Sequence, residues 1–284
     1  MVGNLAGKTI VITGATSGIG ATAARALVAQ GATVVPVGRS PQRAAALSDE
    51  LGVETLVADY ARFTDVRRLA AELLDRCPVI DVLVHNAGGV VNGRQRTEDG
   101  HETTLQTNYL APYLLQSLLH DRLAASRANV VVTSSAAHRS ARIRLDDLEY
   151  DKRRYIGGLA YAAAKLADLL FSRELASRAK ETGITSVAFH PGTVASDFGR
   201  DAKGFSKFIY HTRAGRRLFG VVDNDEGARP LIALAGLSDP QQVNGQYFDR
   251  LKPDAPTSKQ ARDADLAARL WETTADMLGL PAVS

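Results

Sequence analysis

The sequence contains a single cysteine, Cys77, and no membrane-length apolar segment. A lone thiol forms no internal disulfide, and without a second cysteine nearby it offers no paired-cysteine metal site. No run approaches the roughly 18 uncharged apolar residues that a transmembrane helix needs. The N-terminus also lacks the basic-then-apolar profile of a signal peptide. These absences predict a protein without a membrane span and favour a cytoplasmic location.

The charge balance is nearly even. Lys and Arg number 34, Asp and Glu number 31, and the formal net charge is +3. Because no long basic run accompanies this small excess, we do not expect a nucleic-acid partner. The apolar fraction of 45% and the charged fraction of 23% are typical of a globular protein. No linker or repeat divides the 284 residues, so we predict one domain over residues 1–284.

Short apolar runs alternate with longer helical patterns along the first 190 residues. This alternation predicts right-handed crossovers and a mainly parallel sheet with helices on both faces. The near-continuous apolar character of the runs suits strands that are buried on two sides. The predicted strands are Thr9 to Thr13, Thr33 to Val37, Glu54 to Ala58, Asp81 to His85, Asn129 to Thr133, Thr185 to His190 and a closing Gly245 to Asp249.

Helical patterns fill the intervals, and the predicted helices include Arg62 to Arg76, Ala160 to Thr182, residues 227–237 and Asp263 to Leu278. Together the elements predict an α/β, single-domain Rossmann-type doubly wound fold with seven strands. Residues 1–125 would mainly bind a cofactor, and residues 126–284 would carry the catalytic groups, the substrate loops and a C-terminal helix. Pro36 lacks an N–H for the sheet, so we expect the second strand to end or bend early.

A glycine-rich turn follows the first strand and opens a helix. Such a turn lets the backbone approach a pyrophosphate, whose charge is stabilised by the N–H groups at the helix start. The spacing Gly-x-x-x-Gly-x-Gly differs from the common dinucleotide fingerprint, and a purely structural turn is the alternative. We predict cofactor contacts from Gly14, Thr16, Ser17, Gly18, Ile19 and Gly20.

The end of the second strand carries Arg39 where an NAD site places an acidic residue. An acid there would repel a 2′-phosphate, whereas a guanidinium holds it through charge-assisted hydrogen bonds. The sequence therefore predicts NADP(H), with a plain surface arginine as the alternative.

Two further segments suit the same ligand. Asp59, after the third strand, is placed to accept a hydrogen bond from the adenine amino group or to cap the following helix. Asn86, Ala87 and Gly88 follow the fourth strand, where small residues let the chain pass close to the adenosine ribose. A simple turn is the other interpretation of that segment.

A candidate catalytic group lies farther along the chain, although a Tyr–Lys pair at helical spacing also suits an exposed surface and a Ser pair after a strand also suits a cap. Ser135 follows the fifth strand, and Tyr161 and Lys165 are four residues apart in a helix, so they project from one face. An ammonium near a phenol stabilises phenolate and lowers the phenol pKa towards working pH. Tyr161 would then donate a proton to a forming alkoxide, Ser135 would orient the substrate oxygen, and Lys165 would also hold the nicotinamide ribose.

The sequence resembles the short-chain dehydrogenase/reductase family. The resemblance rests on motifs spread over nearly the whole chain: Thr13-Gly14-x-x-x-Gly18-Ile19-Gly20, Asn86-Ala87-Gly88, Asn108, Ser135, Tyr161-x-x-x-Lys165 and Pro191-Gly192. It implies that Tyr161 is the catalytic acid/base, that Ser135 stabilises the substrate oxygen and that Lys165 adjusts the pKa of Tyr161.

The same resemblance implies further roles. Asn108 would hold a relay water, with a helix-kink residue as the alternative reading. Pro191 would contact the cofactor, the backbone of Val194 would meet the nicotinamide carboxamide, and Ser196 would lie near the cofactor phosphates. Ser196 stands where Thr is more common, and His85 stands where Asn is more common.

Within that family the chain resembles the retinol-dehydrogenase-like branch, which includes the WW-domain oxidoreductases. Tyr161 follows Ser135 by 26 residues, about twice the usual interval, which implies an inserted loop from His138 to Leu159. The helix sequence from Tyr161 to Leu175 and the tail around Trp271 also resemble that branch, although Trp271 alone suits a packing anchor.

The segment from Asp197 to Val222 mixes aromatic and basic residues. It suits a lid over an apolar pocket, and an amphipathic membrane-surface helix is the alternative. We expect a ketoreductase that acts on a bulky lipophilic carbonyl or alcohol substrate, in secondary metabolism. A redox-inactive dinucleotide sensor or scaffold, and an isomerase or dehydratase that uses the nicotinamide transiently, are the competing functions. A homodimer or homotetramer suits the family, but the added C-terminal helix would block a common contact surface.

Overall fold

The computed structural model describes residues 3, 5–91, 93–194 and 221–281. Its main sheet has seven strands in the order β3-β2-β1-β4-β5-β6-β9, and every neighbouring pair is parallel. A second sheet joins β7 to β8. The strands are β1 (Thr9–Thr13), β2 (Thr33–Gly38), β3 (Leu56–Val57), β4 (Val82–His85), β5 (Asn129–Thr133), β6 (Thr185–His190), β7 (Thr193–Val194), β8 (Val221–Val222) and β9 (Tyr247–Asp249).

Helices connect the strands and cover both faces of the sheet. They are α1 (Gly18–Ala29), α2 (Pro41–Leu51), α3 (Phe63–Arg76), α4 (Thr103–Leu105), α5 (Ala111–Leu118), α6 (His120–Ser126), α7 (Gly157–Arg178), α8 (Asn224–Ala235) and α9 (Ala264–Met277). A π-helical turn, Gln106–Leu110, joins α4 to α5. The predicted doubly wound α/β fold is confirmed.

Two apolar clusters divide the core between the faces of the sheet. One packs α1 and α8 against the sheet around Ile12, Leu27 and Leu231. The other packs α3, α5, α7 and α9 against the opposite face around Leu83 and Leu170. Strands β4 and β5 are buried at every position because side chains on both of their faces enter these clusters.

The third strand is shorter than the predicted Glu54 to Ala58. It pairs with β2 only at Val37 and Gly38. The N–H of Thr55 instead donates to Ser48 Oγ of α2 at 2.9 Å. A side-chain acceptor thus takes the donor that a longer strand would have used in the sheet.

The expectation that Pro36 ends β2 early is wrong, because β2 continues to Gly38 with Pro36 in register with Ile12. Thr33 N donates to Lys8 O, and Val37 O accepts from Ala15 N. The backbone N–H and C=O groups of Thr33, Val35 and Val37 therefore point towards β1. Pro36 therefore faces the β3 side, where pairing starts only at Val37. Its missing N–H removes no ladder hydrogen bond.

The C-terminal helix α9 packs against α7 and α5. The Trp271 indole stacks on Phe171 at 5.6 Å and meets the Tyr113 ring at 4.8 Å. Tyr109 OH and Thr274 Oγ1 are 2.8 Å apart, and Tyr113 OH donates to Trp271 O at 3.2 Å. Trp271 is thus a packing anchor, and α9 covers this surface of α5 and α7. Separately, none of the helices in the described ranges combines the length and apolar character needed to cross a bilayer.

We expect Trp271→Ala to lower the free energy of unfolding by about 3–5 kcal/mol, because it empties a buried aromatic site. Denaturant titration measures the change. The adjacent Glu272→Ala is the control, since that side chain is 62% exposed and its Arg178 contact is 3.4 Å. The control should change stability by less than about 0.5 kcal/mol. Equal losses in both variants would contradict anchoring by the indole.

Candidate active site

The glycine-rich turn is attached to the loop that follows β4. Thr13 Oγ1 donates to Val84 O and accepts from the N–H groups of Asn86 and Ala87, each at 3.0 Å. Asn86 Nδ2 returns a 3.0 Å hydrogen bond to Thr13 O. The two segments predicted to bind the cofactor therefore form one unit at the point where the strand order reverses, between β1 and β4.

Glycine is required in this unit because the chains approach closely. A Cβ on Gly20 would clash with Gly14 O and lie 2.6 Å from Asn86 Nδ2. A Cβ on Gly38 would overlap Thr16, which brings the end of β2 against the turn. Gly14 and Gly18 have positive φ, 67° and 54°, as an L side chain rarely does.

The start of α1 is suited to an anion. Its N-cap, Ser17, makes no side-chain capping hydrogen bond in the described structure, and the first turn has no acidic residue. The helix dipole and unpaired N–H groups at such an end stabilise negative charge. A dinucleotide pyrophosphate fits this cradle.

Arg39 and Asp59 lie at the predicted adenosine end. Arg39 is exposed directly after β2, and the described residues record no ion pair for it. Asp59 Oδ1 accepts from Ala61 N at 3.0 Å, whereas α3 begins at Phe63, whose N–H is held by Asp99 Oδ2 at 2.8 Å. The proposed capping role of Asp59 is therefore wrong, because Asp99 reaches the helix start from another loop.

Asn108 lies in the middle of the π-helical turn and is buried. Its Oδ1 accepts from Gly89 N at 2.9 Å, and its Nδ2 donates to Gly89 O and Thr104 O at 2.9 and 2.8 Å. Pro112, four residues later, has no N–H to give the Asn108 carbonyl its usual helical partner. The helix is thus irregular at Asn108, as expected of a kink residue. The backbone carbonyl of Asn108 has no α-helical N–H donor.

The side chain of Lys165 is buried, and its ammonium is held by backbone and carboxylate. Nζ donates to Thr133 O at 3.0 Å and to Asp168 Oδ2 at 2.8 Å. Nζ also lies 5.9 Å from the centre of the Tyr161 ring. A Cβ on Gly88 would clash with Asn108 Oδ1 and lie 3.4 Å from Lys165 Nζ, so these three residues meet at one place.

Electrostatics keep Lys165 charged. Burial opposes the ammonium, but the Asp168 carboxylate and the Tyr161 phenol outweigh burial and raise the pKa of Lys165. Burial raises the pKa of Asp168 to about 6, against the opposing pull of the Lys165 charge. Above that pH, the Lys165 ammonium and the Asp168 carboxylate form a buried pair of opposite charges on α7.

The strand end that carries Ser135 is attached to α7. Ser134 Oγ donates to Lys165 O at 2.8 Å, one helical turn after Tyr161. Ser135 Oγ accepts from Ala137 N at 3.2 Å and so begins a short 3₁₀ helix, Ala136–Ser140. The hydroxyl keeps its own proton available as a donor.

The long loop before Tyr161 is fastened by polar contacts. The Asp147 side chain accepts from Lys152 N at 3.0 Å and pairs with Arg153 Nε at 3.3 Å, and the Arg153 guanidinium covers the Tyr150 ring at 3.8 Å. Tyr155 OH donates to the buried Glu102 at 3.1 Å, just before the π-helical turn. The loop is thereby docked beside the start of α7.

Other predicted positions have distinct surroundings. His85 is buried at the end of β4, and burial lowers its pKa to about 4, so the ring is neutral at physiological pH.

A Cβ on Gly227 would press on Val194 and Ile19, which places β7 against the start of α1. Pro191 follows β6 directly. Ser196 and most of the segment from Asp197 to Val222 lie outside the described residues.

Three contributions to the site were not predicted. Thr13 joins the two cofactor segments, Ser134 fixes β5 to α7, and Asp168 pairs with Lys165. A signal for Asp168 existed in the sequence, since an acid three residues after Lys165 lies within the otherwise apolar stretch from Leu166 to Phe171. The other two act through hydrogen bonds between segments distant in sequence and leave no such pattern.

The comparisons with known proteins agree with this geometry. A family model described as short chain dehydrogenase matches residues 8–204. The chain belongs to the short-chain dehydrogenase family. It is 39% identical to "Putative daunorubicin C-13 ketoreductase DnrU" of Streptomyces sp. (strain C5), over 98% of this chain and 94% of that protein.

Other relatives of this short-chain dehydrogenase support the retinol-dehydrogenase-like branch. Retinol dehydrogenase 13 of Homo sapiens is 34% identical over 98% of this chain and 86% of that protein. A solved structure of an uncharacterized protein from Mycobacterium paratuberculosis has 31% identity and a TM-score of 0.79, covering 100% of this chain and 97% of that one. The chain is therefore an oxidoreductase of this family that acts on small molecules.

We expect Gly20→Ala to disrupt the cradle, because its new Cβ would displace Gly14 or Asn86. Affinity for the dinucleotide, measured by titration calorimetry, should fall by at least about tenfold, corresponding to about 1.4 kcal/mol. Gly158→Ala is the matched control, since Gly158 also lies in the first turn of a helix and its Cβ would meet no atom within 4 Å. Unchanged affinity in Gly20→Ala would argue against the cradle.

Proposed function

We propose that this short-chain dehydrogenase is an NADP(H)-dependent oxidoreductase that reduces the carbonyl of a bulky lipophilic substrate to an alcohol. The observation that carries the proposal is the buried, charged Lys165 ammonium 5.9 Å from the Tyr161 ring. This arrangement supports proton transfer by a phenol whose ionised form is stabilised.

Tyr161, Ser135 and Lys165 each have a separate role in the proposed reaction. A nicotinamide dinucleotide held by the cradle would supply the hydride for the carbonyl carbon. Tyr161 donates its proton to the carbonyl oxygen, and the Ser135 hydroxyl donates a hydrogen bond that orients the same oxygen. Within the described structure, Thr133 and Asp168 engage two N–H groups of Lys165, which leaves the third for a ribose hydroxyl.

Proton return to Tyr161 is assigned to Lys165 and a water on the Asn108 carbonyl. The missing N–H at Pro112 favours this carbonyl as the water's acceptor. The Asn108 side chain is occupied by Gly89 and Thr104, so it would hold the turn in shape rather than bind the water itself. Pro191, Val194 and Ser196 would complete the nicotinamide and phosphate contacts, and Asp59 would face the adenine.

NADP(H) is favoured over NAD(H) by Arg39. The close packing of Gly38 on Thr16 places Arg39 beside the pyrophosphate turn, where a ribose 2′-phosphate would lie within its reach. No carboxylate takes the position directly after β2. The cofactor-binding half would be residues 1–125 and the catalytic half residues 126–284 of one domain.

A lipophilic substrate is favoured by apolar side chains beside the site. Val90, Ile156 and Leu159 are 40%, 47% and 41% exposed, respectively, and the last two lie at the start of α7, before Tyr161. The names of two relatives, a daunorubicin C-13 ketoreductase and a retinol dehydrogenase, also refer to large ring-containing compounds. The aromatic segment from Asp197 to Val222 would close over such a substrate.

The test of reaction class is the decay of NADPH absorbance with aromatic and isoprenoid ketones and aldehydes. We expect Tyr161→Phe to lower kcat by about 10²- to 10⁴-fold while NADPH still binds, because the proton donor is lost. Tyr155→Phe is the control, since that hydroxyl bonds to Glu102 instead, and it should retain most activity. Tight NADPH binding without turnover would favour a sensor, and product formation without net NADPH oxidation would favour an isomerase or dehydratase.

Cofactor choice is tested by Arg39→Ala. We expect kcat/KM for NADPH to fall about 10- to 100-fold, the value of one charged hydrogen-bonded contact, while kcat/KM for NADH stays unchanged. Arg76→Ala, which removes the same charge at the opposite edge of the sheet beside Glu54, should alter neither value. Wild-type protein that uses both cofactors equally would contradict the assignment.

A further inference from the structure

Asp168 is a buried acid that the family resemblance leaves without a role. It lies three residues after Lys165 on α7, is 3% exposed, and places Oδ2 2.8 Å from the ammonium. Burying a carboxylate is costly unless a positive partner and hydrogen bonds compensate for the lost water. Lys165 is that partner, and Asp168 is in turn the counterion of the residue assigned to activate Tyr161.

We propose that Asp168 is a positioning residue that holds the Lys165 ammonium and offsets its charge at Tyr161, so that the site favours carbonyl reduction over alcohol oxidation. This inference rests on the proposed function and deepens it by assigning a preferred direction. Reduction adds a hydride to the carbonyl carbon and the Tyr161 proton to the oxygen. Oxidation is the reverse, and it needs an ionised Tyr161 to accept the alcohol proton.

The size of the effect follows from the geometry. The carboxylate lies within about 9 Å of the Tyr161 ring centre, because Nζ is 2.8 Å from Oδ2 and 5.9 Å from that centre. A unit charge at this distance, in a medium of effective dielectric constant about 20, moves a titration by about one pH unit. The negative charge opposes ionisation of the phenol, so Tyr161 keeps its proton to higher pH than Lys165 alone would allow.

The neighbouring titratable groups do not supply the same charge. Tyr109, on the π-helical turn, faces Asp168, and burial raises the pKa of its phenol beyond the working range. His85, on β4, packs its ring 6.0 Å from Phe171, one turn after Asp168, and burial lowers its pKa to about 4. On β5, the Lys165 contact is the uncharged Thr133 carbonyl. Near neutral pH, Asp168 is therefore the ionised acid among these groups that faces Lys165.

A purely structural role for Asp168 predicts different behaviour. The amide of Asp168→Asn has nearly the same shape and keeps an oxygen acceptor for Lys165, so it preserves the hydrogen bond and removes the charge. A shift in the titration of Tyr161 would then report charge, whereas a loss of thermal stability alone would report packing. Asp168→Ser removes the charge with a smaller group and provides a second measurement if Asp168→Asn folds poorly.

The experiment measures the ionisation of Tyr161 in two ways across pH. The first is the pH profile of alcohol oxidation with NADP⁺. The second is the ultraviolet difference absorbance of tyrosinate in the protein without cofactor, assigned by subtracting Tyr161→Phe. We expect Asp168→Asn and Asp168→Ser to move both midpoints about one pH unit lower. At saturating substrate and cofactor near neutral pH, the ratio of kcat for reduction to kcat for oxidation should also fall.

The matched control is Glu174→Gln, which removes a carboxylate from the same helix where it pairs with Arg178 at 2.6 Å. It should leave both midpoints in place. Unmoved or raised midpoints in the two Asp168 variants would overturn the inference. If wild-type protein turns over no carbonyl or alcohol, the proposed function fails, and the tyrosinate titration still decides whether Asp168 offsets the Lys165 charge.

Discussion

The need to stabilise one buried ammonium organises the candidate active site. Lys165 is almost fully removed from water, and its charge is tolerated because a backbone carbonyl of β5 and a carboxylate of α7 accept its hydrogen bonds. Any shift of α7 relative to β5 would break the Thr133 contact and leave the charge under-compensated. The hydroxyl of Ser134, bonded to the Lys165 carbonyl, opposes such a shift.

The parallel sheet brings the other half of the site to the same edge. The carboxyl ends of β1, β2 and β4 carry the glycine-rich turn, Arg39 and the loop that begins at Asn86. Backbone N–H groups of that loop donate to the side chains of Thr13 and Asn108, which fixes the loop on both sides. The cofactor cradle and the Tyr161–Lys165 pair are thus parts of one hydrogen-bonded assembly, in which Gly14, Gly20, Gly38 and Gly88 mark backbone approaches too close for a side chain.

Two further elements, the long loop before α7 and helix α9, pack around this hydrogen-bonded assembly. The long loop before α7 is stabilised by the Asp147–Arg153 pair and by Tyr155 on Glu102, so it has a defined structure beside Tyr161. Helix α9 is anchored by Trp271 and covers parts of α5 and α7. These contacts stabilise α5, which follows the π-helical turn that contains Asn108, and α7, which carries Lys165. They act on the side of both helices that faces away from the sheet.

Local patterns in the sequence were enough to predict the doubly wound parallel fold, most element boundaries within a few residues, and the proximity of Tyr161 to Lys165. Apolar periodicity and glycine spacing are local signals, and Tyr161 and Lys165 share a helix face by spacing alone. Tertiary structure decided what depends on distant partners: Asp99 rather than Asp59 at the start of α3, the full length of β2 through Pro36, and the compensation of Lys165. Those outcomes depend on which donors and acceptors meet across the fold, and sequence spacing alone does not encode that pairing.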